Sequence, residues 1–351
     1  GNEFRLSSVA DPALVVGDRG FADPSLTVAS GTVRAVSAQI GRLEGSAGTL
    51  NLMGPAARLR VTQQDLFVGQ LGSGTLNITG GAQATARLVR VGDQPGSTGR
   101  IVIDGANSLL TVPFFMTINT GRVTVRNSGT LSTGLGVVIV QDGVLDGNGT
   151  VIGPVFNFGQ IEPGNSPGTL TIDGDYSQIG ELPDFSATGG RLQMQIAGAN
   201  PGQFDRLVVT GQTTLGGGLI IQGATPTSTL PIPAEGLSLP IIDALGGFPG
   251  GLNAPPQRFD VAFFPRVPGP NNGPSDKFLR LAQAEGGGAR FFNLVDGTLG
   301  APISVNDPAN TGAAGTPSAV VAGDLDGDGL DDLAITTASS NIVTVLMNRG
   351  T

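Results

Sequence analysis

Leu76 and Ile78 stand two positions apart, with Thr75, Asn77 and Thr79 on the other parity, so an extended chain here has one apolar and one wet face. That alternation predicts a short strand. Glycines bracket it in Val68-Gly69-Gln70-Leu71-Gly72-Ser73-Gly74-Thr75-Leu76-Asn77-Ile78-Thr79-Gly80-Gly81-Ala82, and they permit the positive φ of a sharp turn at either end. One phrase, glycine followed by variable, apolar, variable and apolar residues, occurs four times: Gly48-Thr49-Leu50-Asn51-Leu52, Gly74-Thr75-Leu76-Asn77-Ile78, Gly99-Arg100-Ile101-Val102-Ile103 and Gly121-Arg122-Val123-Thr124-Val125. The steps are 26, 25 and 22 residues (48 to 74, 74 to 99, 99 to 121). A unit that short cannot bury its own apolar face and has to stack on its neighbours. None of it carries helical periodicity. The pattern predicts an all-β fold, a β-solenoid with about one coil per repeat and a rise of about 4.8 Å per coil, the strand spacing of a sheet.

Taken along the chain, the pattern divides it into four. Residues 1–40 read as an N-terminal cap segment, in which Asp11-Pro12 and Asp23-Pro24 each open a strand-like run. An uncovered first coil would expose unpaired backbone groups. Residues 41–225 form the solenoid, where Val112-Pro113-Phe114-Phe115-Met116 reads as an apolar insertion that fills a wider part of the core. Phe114 and Phe115 cannot both face inward on a regular strand. Residues 226–288 are read as irregular last coils and a Pro/Gly-rich linker, with a hinge at 286–288, and residues 289–351 as a small C-terminal β-blade module.

Composition supports strands over helices. The 351 residues include 57 glycines and 24 prolines with only 13% charged residues, while 39% hydrophobic residues at regular spacing argue against disorder. A net charge of −9 makes nucleic acid and anionic membrane surfaces poor partners. No apolar run approaches the roughly 20 residues that span a bilayer, and the longest candidate is Val137 to Val140, so membrane insertion is not expected. There is no cysteine, so no disulfide forms. A start at Gly1, with no charged-then-apolar leader in view, reads as a processed or trimmed product.

Catalysis has little to work with. Histidine and cysteine are both absent, which excludes His-dependent bases and triads together with the usual zinc and thiol sites. Carboxylate chemistry needs paired acids in a groove, whereas Glu44, Asp65, Asp93, Asp104, Asp142 and Glu162 fall at scattered positions relative to the repeat. The chain is therefore expected not to be an enzyme, and a polysaccharide-active β-helix enzyme is the weakest reading. With no Trp and Tyr176 as the sole Tyr, a strong aromatic sugar platform is not expected either.

One stretch carries metal chemistry: Asp324-Leu325-Asp326-Gly327-Asp328-Gly329-Leu330-Asp331-Asp332. Three carboxylates at alternate positions, with glycines that allow a tight loop, can converge on one hard cation, and a carboxylate at the ninth position closes the shell. The expected ion is Ca²⁺, with Asp324, Asp326, Asp328 and Asp332 as side-chain ligands, the Leu330 carbonyl as a main-chain ligand and Asp331 facing solvent. An ordinary EF-hand is excluded, because the twelfth position is Ile335, inside a strand-like run, where that loop needs a bidentate Glu between helices.

Two resemblances follow from these residues. The repeats at 48–125, Pro163-Gly164-Asn165-Ser166-Pro167-Gly168 and Gln203-Phe204-Asp205-Arg206-Leu207 resemble the β-helix repeats of bacterial autotransporter passengers and related secreted surface proteins, over about residues 30–225. The resemblance implies a right-handed parallel β-helix outside the cell with a surface or adhesive role, and it implies no catalytic site. The acidic stretch, with Ser318-Ala319-Val320-Val321-Ala322-Gly323 before it and Ile342-Val343-Thr344-Val345-Leu346-Met347 after it, resembles one FG-GAP or VCBS repeat, a propeller blade whose loop binds Ca²⁺. A propeller needs about four to eight blades, and one is present. The expectation is therefore an extracellular structural protein that self-associates end to end into a fibre or matrix. The alternative is a monomeric calcium-dependent surface adhesin with further blades. Surface polysaccharide is a second partner class.

Overall fold

The structure is a computed structural model that describes residues 3–5, 14–18, 23–134, 136–164, 167–180, 189–198, 200–223 and 238–247. Beyond these it describes the strands at 261–263, 277–286, 289–298, 317–323, 332–337 and 343–346. The described residues contain strands and no helix. They fall into two compact units, Gly1–Thr298 and Leu299–Thr351.

The first unit is a β-solenoid with three parallel sheets, to each of which a coil gives one strand. Sheet 1 includes Gly31–Ala35, Ala57–Val61 and Gln83–Ala86; sheet 2 includes Ala38–Ile40, Leu66–Val68 and Leu88–Val91; sheet 3 includes Ala47–Met53, Ser73–Thr79 and Thr98–Asp104. The nine described strands of sheet 2 mark about eight steps from coil to coil. Register follows the glycine phrase. Gly48 pairs with Gly74, Gly74 with Gly99, and Gly99 with Gly121, so the 26-, 25- and 22-residue steps are true coil lengths.

Steric exclusion explains why glycine occupies this column. A Cβ built on Gly48, Gly74, Gly99 or Gly121 would lie less than 3.0 Å from main-chain atoms such as the Val16, Ile40, Val68 and Gly99 carbonyl oxygens. A second column, at the corner leaving sheet 2, has a further reason: Gly17, Gly41, Gly69 and Gly92 have φ of 82°, 69°, 75° and 63°. Both columns let the backbone turn tightly between sheets 2 and 3.

Inside, the alternating positions interlock into one continuous core. Leu50, Leu76 and Ile101 form one fully buried column and Leu52, Ile78 and Ile103 the next. Burying each such side chain is worth about 1.5–3 kcal/mol, and every coil covers the apolar edge of the one before. Val112 and Met116 fill the core at the apolar insertion, while Phe115 is half-buried on the exterior and Phe114 is 52% exposed. Neither phenylalanine enters the core. Phe114 instead lies under the Arg87 guanidinium, 4.4 Å from the ring centroid.

Polarity reverses at the end of sheet 1. Ser238–Ala244 continues the parallel stack, but Ala289–Thr298 then pairs with it antiparallel and Lys277–Gly286 pairs antiparallel with that. Gly286 pairs with Ala289, and the rest of the glycine run read as a hinge, 287–288, lies outside the described residues. The strand Ala289–Thr298 belongs to the solenoid unit, and the second unit is Leu299–Thr351. That unit contains a three-stranded antiparallel sheet of Pro317–Gly323, Asp332–Thr337 and Val343–Leu346.

Candidate functional site

The residues chosen for calcium lie largely outside the described residues: Asp324, Asp326, Asp328 and Leu330, and also Asp331, are among those not described. Their frame is described. Pro317–Gly323 and Asp332–Thr337 are antiparallel, and Gly323 pairs with Asp332, so the two ends of the acidic stretch are held opposite each other. Strands flank it on both sides, as the exclusion of an EF-hand requires. That closure suits a set of carboxylates meeting on one cation.

On the solenoid, the carboxylates are less scattered than their sequence positions suggest. Asp146 and Glu162 are register partners on adjacent coils of sheet 3, and both meet Arg122, at 2.5 Å and 2.7 Å from Nη1. Sequence spacing hid this because the coil lengths there change from 22 residues (122 to 144) to 16 (144 to 160). Burial raises the pKa of Asp146, against hydrogen bonds from Thr124 and Arg122 that lower it. Arg122 fixes both acids, so the arrangement is an ion-pair staple between coils. Arg126 with Asp104 and Arg90 with Asp65 link further coils in the same way, each at 2.8 Å.

The structure also joins two stretches whose roles were not visible in the sequence. Asp205, only 2% exposed, accepts hydrogen bonds from the Gly168 N–H through Oδ1 (2.9 Å) and from the Gln195 N–H through Oδ2 (2.7 Å). It thereby fastens the Gln203-Phe204-Asp205-Arg206-Leu207 stretch to the end of Pro163-Gly164-Asn165-Ser166-Pro167-Gly168. Burial is the main cause that pushes its pKa up to about 7, opposed by the two backbone hydrogen bonds and assisted by Glu162.

A polar network lies within the core of the same coils. Tyr176 is fully buried and donates to Gln178 Oε1 (2.7 Å), and the Asn157 amide donates to the Tyr176 oxygen (3.2 Å). Gln178 Nε2 lies within hydrogen-bond distance of the Gly190, Gly216 and Gly218 carbonyls. Burial raises the tyrosine's pKa far above its ordinary value. The single tyrosine is thus an interior tie and offers no face to a sugar.

The exterior of sheet 2 is unexpectedly apolar. Leu88, Phe115 and Val137 form one outward column in register, and Ile139 and Phe156 extend the neighbouring one. Phe156 is 37% exposed.

Comparison with known proteins adds two likenesses. Residues 316–346 match the FG-GAP repeat, which contains the three-stranded sheet and the acidic stretch. Over 79 residues the chain is 37% identical to an uncharacterized lipoprotein, YdeK, of Escherichia coli strain K12; the match covers 22% of this chain. The aligned part spans only 6% of that protein's length.

Proposed function

We propose that this chain is an extracellular, adhesion-type structural protein: a β-solenoid subunit of a cell-surface fibre or matrix whose copies associate end to end. The observation that carries the reading is the union of a stacked parallel solenoid with an FG-GAP repeat. Stacked coils give a rigid spacer made from nearest-neighbour contacts. Among the described residues, sheet 1 runs from Glu3–Arg5 at one end to Lys277–Gly286 at the other, and each of these edge strands has one unpaired side. Unpaired edges accept strands from another copy, and a head-to-tail contact that does not close gives a filament.

In this reading Asp324, Asp326, Asp328 and Asp332, with the Leu330 carbonyl, hold Ca²⁺ and stiffen the C-terminal sheet. A second reading is favoured by the match to a single repeat of 31 residues (316–346): a monomeric calcium-dependent adhesin whose further blades complete a propeller. Negative-stain electron microscopy with and without a calcium chelator separates the two. Uniform filaments that disperse on chelation support assembly through the C-terminal repeat. Short separate rods in both conditions sink it and leave the adhesin.

A further inference from the structure

The exterior of sheet 3 carries a trough in which, among the described residues, Arg100 is the one uncompensated charge, since Arg122 is paired with Asp146 and Glu162. Two columns border it, one containing Ser73 and Thr98, the other Thr75, Arg100 and Arg122, and the glycine column runs between them. The trough has a volume of about 380 Å³, and no carboxylate lines it.

Each lining group has spare hydrogen-bonding capacity or a fixed position. Arg100 is exposed and makes no ion pair among the described residues. Arg122, one coil away, is held by Asp146 and Glu162 and remains 38% exposed. The Ser73 and Thr98 hydroxyls are 3.2 Å apart, and either can donate to the other or outward. Thr75 adds a third hydroxyl on the same rim. Guanidinium forks match carboxylate oxygens in a two-bond geometry, and hydroxyls, which both donate and accept, match sugar hydroxyls.

We propose that this trough binds an acidic glycan of the hexuronate type, with the sugar carboxylate on Arg100 and ring hydroxyls on Ser73, Thr75 and Thr98. Successive coils repeat the surface at about 4.8 Å, close to the width of one sugar ring, so a linear chain lies along the solenoid axis. The site does not depend on filament formation, and its test uses the dispersed full chain.

Isothermal titration at low ionic strength uses tetragalacturonate as the probe and neutral galactotetraose as its control. One-site binding of tetragalacturonate is expected, at least tenfold tighter than galactotetraose. Arg100→Ala, at an exposed position, weakens it at least tenfold with an unchanged melting temperature. Arg60→Ala, an exposed arginine on sheet 1, leaves it unchanged. Undiminished binding by Arg100→Ala overturns the proposal, as does equal binding of the neutral tetrasaccharide or no binding of tetragalacturonate. Displacement by inorganic sulfate at matched concentration overturns the sugar assignment and leaves a simple anion site.

Discussion

Gly164 and Asp205 lie so close, although 41 positions separate them (205 − 164), that a Cβ on the glycine would sit less than 3.0 Å from Asp205 Oδ1. Gly164 also has φ of 103°, a conformation that L side chains rarely adopt. Both facts oppose a side chain there. Gly164→Ala is expected to cost at least about 2 kcal/mol, because overpacking and backbone strain each contribute about 1–3 kcal/mol. Denaturant unfolding checks this, and a loss indistinguishable from zero would show that the Asp205 fastening is not tight.

The acidity of Asp205 supplies a second prediction. Its carboxyl is raised from near 4 in the unfolded chain to about 7 in the fold. Between these values the folded state binds more protons than the unfolded state, so stability from this group is full below about pH 4 and declines as pH rises to about 7. The complete change is of order 4 kcal/mol. Melting temperatures measured from pH 4 to 8 are expected to fall more steeply for the wild type than for Asp205→Asn, whose side chain does not titrate. Parallel profiles would refute the raised acidity.

Two glycines separate steric from conformational cost. Gly99 has no positive φ but would place a Cβ against the Val68 carbonyl, whereas Gly45 has φ of 70° and nothing within 4 Å. Gly45→Ala is expected to lose about 1 kcal/mol through backbone strain alone. Gly99→Ala must force two coils apart and should lose more than twice as much, or fail to fold. Comparable thermal unfolding of the two variants would contradict the close packing assigned to the column.

The buried network gives a graded pair. Tyr176→Phe deletes one hydroxyl, leaves the ring packed and strands the buried Gln178 Oε1, and it is expected to cost about 1–3 kcal/mol. Gln178→Ala abandons several groups together: the Gly190, Gly216 and Gly218 carbonyls and the Tyr176 hydroxyl. A buried group left without a partner costs about 1–3 kcal/mol, so this variant should lose at least about 3 kcal/mol. If the two variants melt together, the glutamine is not the centre of the network.

How far the sequence revealed these features depended on whether neighbours in space shared a regular spacing. Gly48, Gly74, Gly99 and Gly121 did, because glycine is required wherever backbone meets backbone, so the parallel stack was readable from them. Asp146 and Glu162 did not, because the coil between them is shorter than those before it. Gln178 and Asn157 carry no local signal of burial; their inward direction follows from coil register, and carbonyls of other coils accept from their side-chain amides. Gly286 lies beside a Gly-Gly pair that suits a hinge and a hairpin equally; Gly286 itself pairs with Ala289, and the pair between them lies outside the described residues. For the residues proposed to hold calcium, alternating acids are a local signal that needs no tertiary information, and the structure describes only their frame, in which Gly323 pairs with Asp332.

The stacking of coils governs how the molecule would yield under load. Hydrogen bonds between successive coils run along the solenoid axis, so a pull along that axis loads them in series and the outermost coil peels first. Each coil near the 26-residue length then releases roughly 3.3–3.6 Å per residue, or about 90 Å of slack. A solenoid built this way lengthens in small steps, so an applied tension is dissipated one coil at a time.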